Sequence, residues 1–195
     1  DAPLEGVNLA FKSLEGDFAV HLYGSKEALD SSHLVDPDRL VKTETTEEIL
    51  MGESPTKAIM RKPDSSISRG LRDLKEGKID VFISAGNTGA VLVGSMYSVK
   101  AAEGIIRPAI ATYIPNLSGG YSIMLDVGAN PDVKPDVLHQ FAVLGSLYAQ
   151  YVLQIDQPKV GLLNIGSEPE KGNLVVQAAH SLLTESTKIN FTGNI

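Results

Sequence analysis

Cysteine is absent from this sequence of 195 residues, which excludes disulfides, zinc–thiolate centres and a cysteine nucleophile, and fits a cytoplasmic address. Long apolar runs are absent too. No stretch approaches the ~20 residues that a bilayer span requires, and the opening DAPLEG has neither the basic nor the apolar region of a secretory signal. Positive charge is in short supply: 17 Lys and Arg stand against 24 Asp and Glu, a net charge of −7. General nucleic-acid binding works through clustered cations and counterion release, so that class is set aside in favour of a small-molecule or protein partner. There is no repeat of solenoid period, no low-complexity tract and no linker long enough to divide the chain.

An ordinary globular composition, 43% apolar and 21% charged, is arranged in a repeated grammar. A short apolar run, a polar loop rich in Gly and Asn, and a longer helix-like run occur three times. The first unit places a strand at 79–84, a loop at 85–88 and a helix at 89–100. The second places a strand at 123–127, the loop GANPDVKP and a helix at 136–153. The third places a strand at 160–165, the loop GSEPEKGN and a helix at 174–183. Strands and helices alternating at these lengths predict an α/β fold, a mainly parallel sheet covered on both faces. Earlier in the chain, Phe18, Val20 and Leu22 alternate as a strand should, and Gly24 ends the run. Ser54 and Pro55 read as the start of a helix that Pro63 stops, and Ser65 or Ser66 caps a further helix ending near Gly77. A helix start at 3–14 without a preceding strand, and a close on INFTGNI where a strand has just formed, read as cut ends. The expectation is a single α/β domain over 1–195, belonging to a longer protein and lacking its first strand and its C-terminal part.

In a parallel sheet the strand-to-helix loops leave from the carboxyl edge, so the three polar loops are expected to converge there. Helix N-termini at that edge offer unpaired N–H groups and partial positive charge, which favours an anion. Gly86, Gly89, Gly128, Gly166 and Gly172 would let a ligand approach the backbone. Ser84, Thr88, Asn87, Asn130, Asn164 and Asn173 supply neutral polar groups, and Lys134 and Lys171 supply compact charge for phosphate. Glu168 lies in the same ten-residue NIGSEPEKGN stretch, longer than a strand-to-helix connection needs. Gly, Asn and Thr are also the commonest turn and cap residues, and a purely structural role for each loop stands beside the functional one. RKPDSS, with Ser65 and Ser66, is a fourth candidate for phosphate or an acidic partner, although on this segment alone an N-cap at Asp64, Ser65 or Ser66 with Arg61 and Lys62 in solvent is the favoured reading. Asp126 and Asp132 would repel a bound phosphate; they could orient Lys134 or an amide, act as a base, or, for Asp132, cap a helix. His139 falls on a wetter flank of its helix than Val137, Phe141, Leu144 and Tyr148 and reads as a surface residue. His21, His33 and His180 make no metal-ligand spacing, so no metal is expected.

SAGNTGA, LDVGANPDVKPDVLHQFAVLGSLYA, PKVGLLNIGSEPEKGN and NFTGNI, in this order, resemble the bacterial phosphate acyltransferase family of phospholipid synthesis, the PlsX family. DAPLEG resembles the segment after that family's first strand, and SPTKAIMRKPDSS its Lys-rich Asp-Ser-Ser segment. The resemblance implies an enzyme that moves a fatty acyl group from acyl carrier protein to inorganic phosphate, with no cofactor, to give acyl phosphate. It implies a three-layer α/β sandwich similar to phosphotransacetylases and to the isocitrate and isopropylmalate dehydrogenases. It also implies a homodimer and peripheral association with the membrane through segments beyond residue 195. Lys171, Asn173, Asn87 and Lys134 are then expected as catalytic contacts. Ser84, Gly86, Thr88, Gly89, Ser65, Ser66, Asp126, Asn130, Asp132, Asn164, Gly166, Glu168 and Gly172 are expected to contact substrate. Pro63 stands where the family commonly has a basic residue, and the His that often follows the KP pair is displaced here to 139, which argues further against catalysis by His139. Arg61, Lys62, Arg69 and Arg72 are the clustered cations that could meet an acidic carrier protein. A dehydrogenase on a related sheet would want a dinucleotide fingerprint or an aspartate metal cluster, and neither is visible. An anion-binding module without catalysis would use the same loops.

Overall fold

A computed structural model describes residues 2–30 and 35–195; His33 and the first residue of DAPLEG lie outside the described residues. The chain divides into two compact units, Asp1–Lys100 and Ala101–Ile195.

In the first unit, α1 (Ala2–Ser13) leads to β1 (Val20–Gly24), α2 (Lys26–Asp30), a 3-10 turn over Pro37–Arg39 and β2 (Leu40–Glu44). β1 and β2 pair in parallel, from Val20 opposite Leu40 to Gly24 opposite Glu44. Phe11 stacks on Phe18 with ring centroids 5.5 Å apart, and the Arg39 guanidinium covers both rings at 4.7 and 4.9 Å. Three helices come next: α3 (Pro55–Arg61), α4 (Ser66–Lys75) and α5 (Thr88–Ser98). Their apolar faces meet in a core of Ile49, Ala58, Ile67, Leu71 and Ala90, with Phe82 and Val91 packed against it. Contact is close enough to demand glycine: a Cβ on Gly70 would lie 2.2 Å from the Phe82 ring.

The strand predicted at 79–84 is not in a ladder. Val81 and Ile83 are 70% and 88% exposed while Phe82 packs inward, so the alternation of a strand is there. No neighbouring strand among the described residues pairs with it, and alternation alone cannot supply one.

The second unit opens with a hairpin, β3 (Ala111–Pro115) and β4 (Tyr121–Leu125), antiparallel from Ala111 opposite Leu125 to Pro115 opposite Tyr121. Asn116 shapes its turn: its Oδ1 accepts from the Ser118 and Gly120 N–H groups, both at 3.1 Å. α6 (Pro135–Tyr151), β5 (Lys159–Leu162), α7 (Leu174–Glu185) and β6 (Asn190–Asn194) complete the unit, with β5 and β6 parallel. Val137, Phe141 and Ala149 of α6 and Ala179 and Leu183 of α7 are buried. The class is α/β, as predicted, and two of the three described ladders are parallel. The exception is the strand expected at 123–127, whose partner ten residues upstream makes it half of a hairpin. No described helix is long and apolar enough to cross a membrane.

Candidate functional site

The loop before α7 is pinned through its carbonyl groups. Asn194, at the end of β6, donates from Nδ2 to the Glu168 carbonyl at 2.7 Å. Gln177 of α7 donates to the carbonyls of Glu170 and Gly172 at 2.6 and 3.1 Å, and Asn164 donates to that of Lys171 at 3.0 Å. With its acceptors engaged from within, the loop is left with donors to offer. Asn173 is the N-cap of α7: its Oδ1 accepts from the Val176 N–H at 3.0 Å, and its Nδ2 has no partner among the described residues. The N–H groups of Leu174 and Val175, in the first helical turn, are likewise open to a ligand or water. Lys171 is exposed and forms no ion pair among the described residues.

Two glycines permit this shape. Gly172 has φ +85°, and a Cβ there would stand 2.7 Å from Asn164 Oδ1. A Cβ on Gly166 would stand 2.8 Å from the Glu168 carboxylate and 3.0 Å from Lys171 Cγ, so both side chains fold over the bare backbone. Asn164, Gly166, Glu168, Lys171, Gly172 and Asn173 therefore come together as one cluster. Asn194 and Gln177 belong with them, although the sequence pattern does not single them out; the signal for Asn194 is its place in NFTGNI.

The loop before α6 is organised differently. Asp126 Oδ1 accepts from the N–H groups of Ile110 and Ala129 at 2.8 and 3.1 Å. Its Oδ2 accepts from the Asn130 N–H and Nδ2 at 2.7 and 3.0 Å. Burial opposes its charge, but these hydrogen bonds outweigh burial and hold the carboxyl below its usual range. Asn130 spends its other amide hydrogen on the Pro108 carbonyl at 2.8 Å. Asp126 and Asn130 thus build the loop. Lys134, exposed, is the N-cap residue of α6 without a side-chain cap bond, so the capping expected of Asp132 is not seen. Early in α6, His139 Nε2 meets Ser186 Oγ at 3.0 Å, past the end of α7; His139 is half-buried there rather than on the surface. α6 consequently begins where α7 ends. Asn173 lies a helix length away, about 18 Å at ~1.5 Å per residue, so the loops at 128–135 and 164–173 do not converge on one small anion.

In the first unit, Asn87 caps α5. Its Oδ1 accepts from the Ala90 N–H at 2.9 Å, and its Nδ2 lies 3.1, 3.2 and 3.2 Å from the carbonyls of Leu50, Met51 and Glu53. At 6% exposure, that amide is fully committed. Ser84 Oγ accepts from the Gly86 N–H at 3.1 Å. Gly89 is required by contact, since a Cβ would lie 2.6 Å from Pro55. Thr88 is exposed, and its hydroxyl has no partner among the described residues. Ser65 is fully buried as the N-cap of α4 and donates to the Lys62 carbonyl at 2.9 Å, whereas Ser66 is half-buried in the first helical turn.

A loop of engaged carbonyls, free N–H groups and an unpaired lysine at a helix N-terminus is suited to an oxyanion. The fold that carries it is that of the phosphotransacylases. The chain superposes on a branched-chain phosphotransacylase from Enterococcus faecalis V583 with a TM-score of 0.64 at 14% identity, covering 98% of this chain and 63% of that one. It superposes on the EutD phosphotransacetylase from Staphylococcus aureus with a TM-score of 0.55 at 16% identity, covering 100% of this chain and 73% of that one. More particularly, residues 1–195 match the family model described as "Fatty acid synthesis protein", and the chain belongs to that family. It is 44% identical to a phosphate acyltransferase of Salinibacter ruber over all of this chain and 59% of the relative. It is 46% identical to one of Desulfitobacterium hafniense strain DCB-2 and 39% to one of Staphylococcus aureus, in each case over all of this chain and 58% of the relative. The family resemblance read from the motifs is thereby borne out. The chain spans about three-fifths of the length of these relatives.

Proposed function

We propose that the protein containing this chain transfers a fatty acyl group from acyl carrier protein to inorganic phosphate, giving acyl phosphate for phospholipid synthesis. A phosphate oxygen bonds to the thioester carbonyl carbon, the C–S bond breaks, and the departing thiolate takes the proton that phosphate loses. No enzyme nucleophile is needed, and the low pKa of thiols relative to alcohols removes the need for a strong acid. The chain's own groups have two tasks: holding the phosphate dianion and stabilising charge as it develops.

The observation that carries this reading is the loop at 164–173. The Lys171 ammonium offsets phosphate charge, and Asn173 Nδ2 with the Leu174 and Val175 N–H groups donates to phosphate oxygens. Asn164, Gly166, Gly172, Gln177 and Asn194 hold that arrangement. In the first unit, the Thr88 hydroxyl and the first turn of α5 form a second donor set for substrate, and Asn87 positions it. Ser84, Gly86 and Gly89 shape that turn, and Ser65 and Ser66 support α4. In the second unit Asp126, Asn130 and Asp132 present Lys134 at the start of α6. The reading extends to a cytoplasmic homodimer that works at the membrane surface.

The test is the full-length protein with an acyl-carrier-protein thioester, with and without phosphate. Phosphate-dependent release of free carrier together with an acyl-phosphate product is expected. Saturable phosphate binding without turnover would replace the transferase with an anion-binding module.

A further inference from the structure

The loop at 164–173 holds two acceptors that no donor among the described residues meets. Asn194, 6% exposed, aims its amide into the loop, where Nδ2 is spent on the Glu168 carbonyl at 2.7 Å; its Oδ1 is buried and has no hydrogen-bond partner. The exposed Glu168 carboxylate likewise forms no hydrogen bond or ion pair among the described residues. It does not pair with Lys171, although both side chains lie over Gly166, where a Cβ would stand 2.8 Å from Glu168 Oε2 and 3.0 Å from Lys171 Cγ.

A buried amide oxygen without a donor is costly, and a carboxylate beside an anion site repels any fully ionised anion that enters. One kind of ligand resolves both. The donors of the loop, Lys171, Asn173 Nδ2 and the Leu174 and Val175 N–H groups, suit the ionised oxygens of an oxyanion. The two unmet acceptors suit an oxygen that carries hydrogen. Hydrogen phosphate has one such oxygen; sulfate, a tetrahedral dianion of nearly the same size, has none.

We propose that Glu168 is the specificity-determining residue of this loop: its carboxylate accepts the P–OH hydrogen of the bound ion, with Asn194 Oδ1 as a second acceptor below the loop surface, so that hydrogen phosphate is taken and sulfate refused. A site built to hydrogen-bond a ligand hydroxyl rejects the analogue that lacks it, because the acceptor is then left facing an oxygen with nothing to donate. With the hydrogen held on Glu168, the ionised oxygens are left to the lysine and the amides, and one of these attacks the thioester. The inference rests on the loop being the phosphate site, as proposed above; the preference for a protonated oxygen rests on the two acceptors.

The experiment titrates the full-length protein, Glu168→Gln and Glu170→Gln with phosphate and with sulfate, by calorimetry at mildly alkaline pH and constant ionic strength, without thioester. The Leu174 and Val175 amide resonances place each ion. Both ions then carry two negative charges, so the ratio of their dissociation constants reads the hydrogen and not the charge. The parent protein should bind phosphate on the order of 10- to 100-fold more tightly than sulfate. In Glu168→Gln the side-chain amide can turn its N–H to sulfate, and the two constants should come within a factor of about three of each other. Glu170→Gln removes an equal charge from the same loop and should keep the parent ratio. Sulfate bound as tightly as phosphate by the parent, or a ratio unchanged in Glu168→Gln, overturns the proposal and leaves the phosphate site standing. If neither ion moves the two amides, the site falls and the proposal with it. Because no turnover is read, a protein that discriminates in this way but transfers no acyl group would refute the transferase reading and leave the selectivity standing.

Discussion

The loops before α5 and before α7 share one plan: an asparagine N-cap takes a first-turn N–H through its Oδ1, and a glycine, Gly86 or Gly172, precedes it. Their surroundings diverge. Asn87 is buried, and its Nδ2 lies within hydrogen-bond reach of three carbonyls of the segment before α3. Asn173 is exposed, its Nδ2 is open, and the work of holding the loop falls to Asn164, Gln177 and Asn194. The same residue at the same helical position is a brace in one unit and an available donor in the other. The difference between them is whether other side chains have already satisfied the backbone acceptors nearby.

This contrast sets the expected order of effects. Lys171→Ala in the full-length protein should lower turnover on the order of 100-fold, seen in steady-state assays at saturating thioester, while the melting temperature stays within a degree or two. Asn87→Ala should act the other way round. It removes a helix cap and strands buried carbonyls, costing about 2–4 kcal/mol, measured by urea denaturation. Turnover of the fraction that remains folded should change far less than in Lys171→Ala. Equal losses of stability from Asn87→Ala and Asn173→Ala would erase the distinction between brace and donor.

Gly172→Ala comes next. A side chain at φ +85° and 2.7 Å from Asn164 Oδ1 should cost about 1–3 kcal/mol and weaken phosphate affinity by displacing Lys171 and Asn173. The smallest effect is expected at Asp126. Its pKa is depressed in the folded state, so its stabilisation is fully present above the unfolded value of about 3.9 and disappears as pH falls through the lower folded value. Denaturation between pH 2 and 5 should show this loss in the parent protein and a flatter profile in Asp126→Asn.

The helices and their caps are largely legible in the sequence. The helices expected at 136–153 and 174–183 are observed as Pro135–Tyr151 and Leu174–Glu185. Ser65, a predicted cap, is the N-cap of α4, because Ser and Asn placed before an apolar run carry a local signal. Strand partnership is not legible. The apolar run at 123–127 marks a strand but says nothing of direction, and only the neighbour at 111–115 makes it a hairpin. For the site, the residue pattern points to the loop at 164–173 but not to its support. Gln177 and Asn194 lie outside it in sequence, and nothing in their types announces which carbonyl they will meet. Nor could spacing reveal that α6 begins where α7 ends, which separates Lys134 from Lys171.

Whether the loop at 164–173 cradles phosphate is tested most directly by titrating the full-length protein with inorganic phosphate, monitored at the amide resonances of Leu174 and Val175 at constant ionic strength. Saturable shifts at both amides, lost in Lys171→Ala, are the predicted result; amides that do not respond, or that respond identically without the lysine, would contradict it.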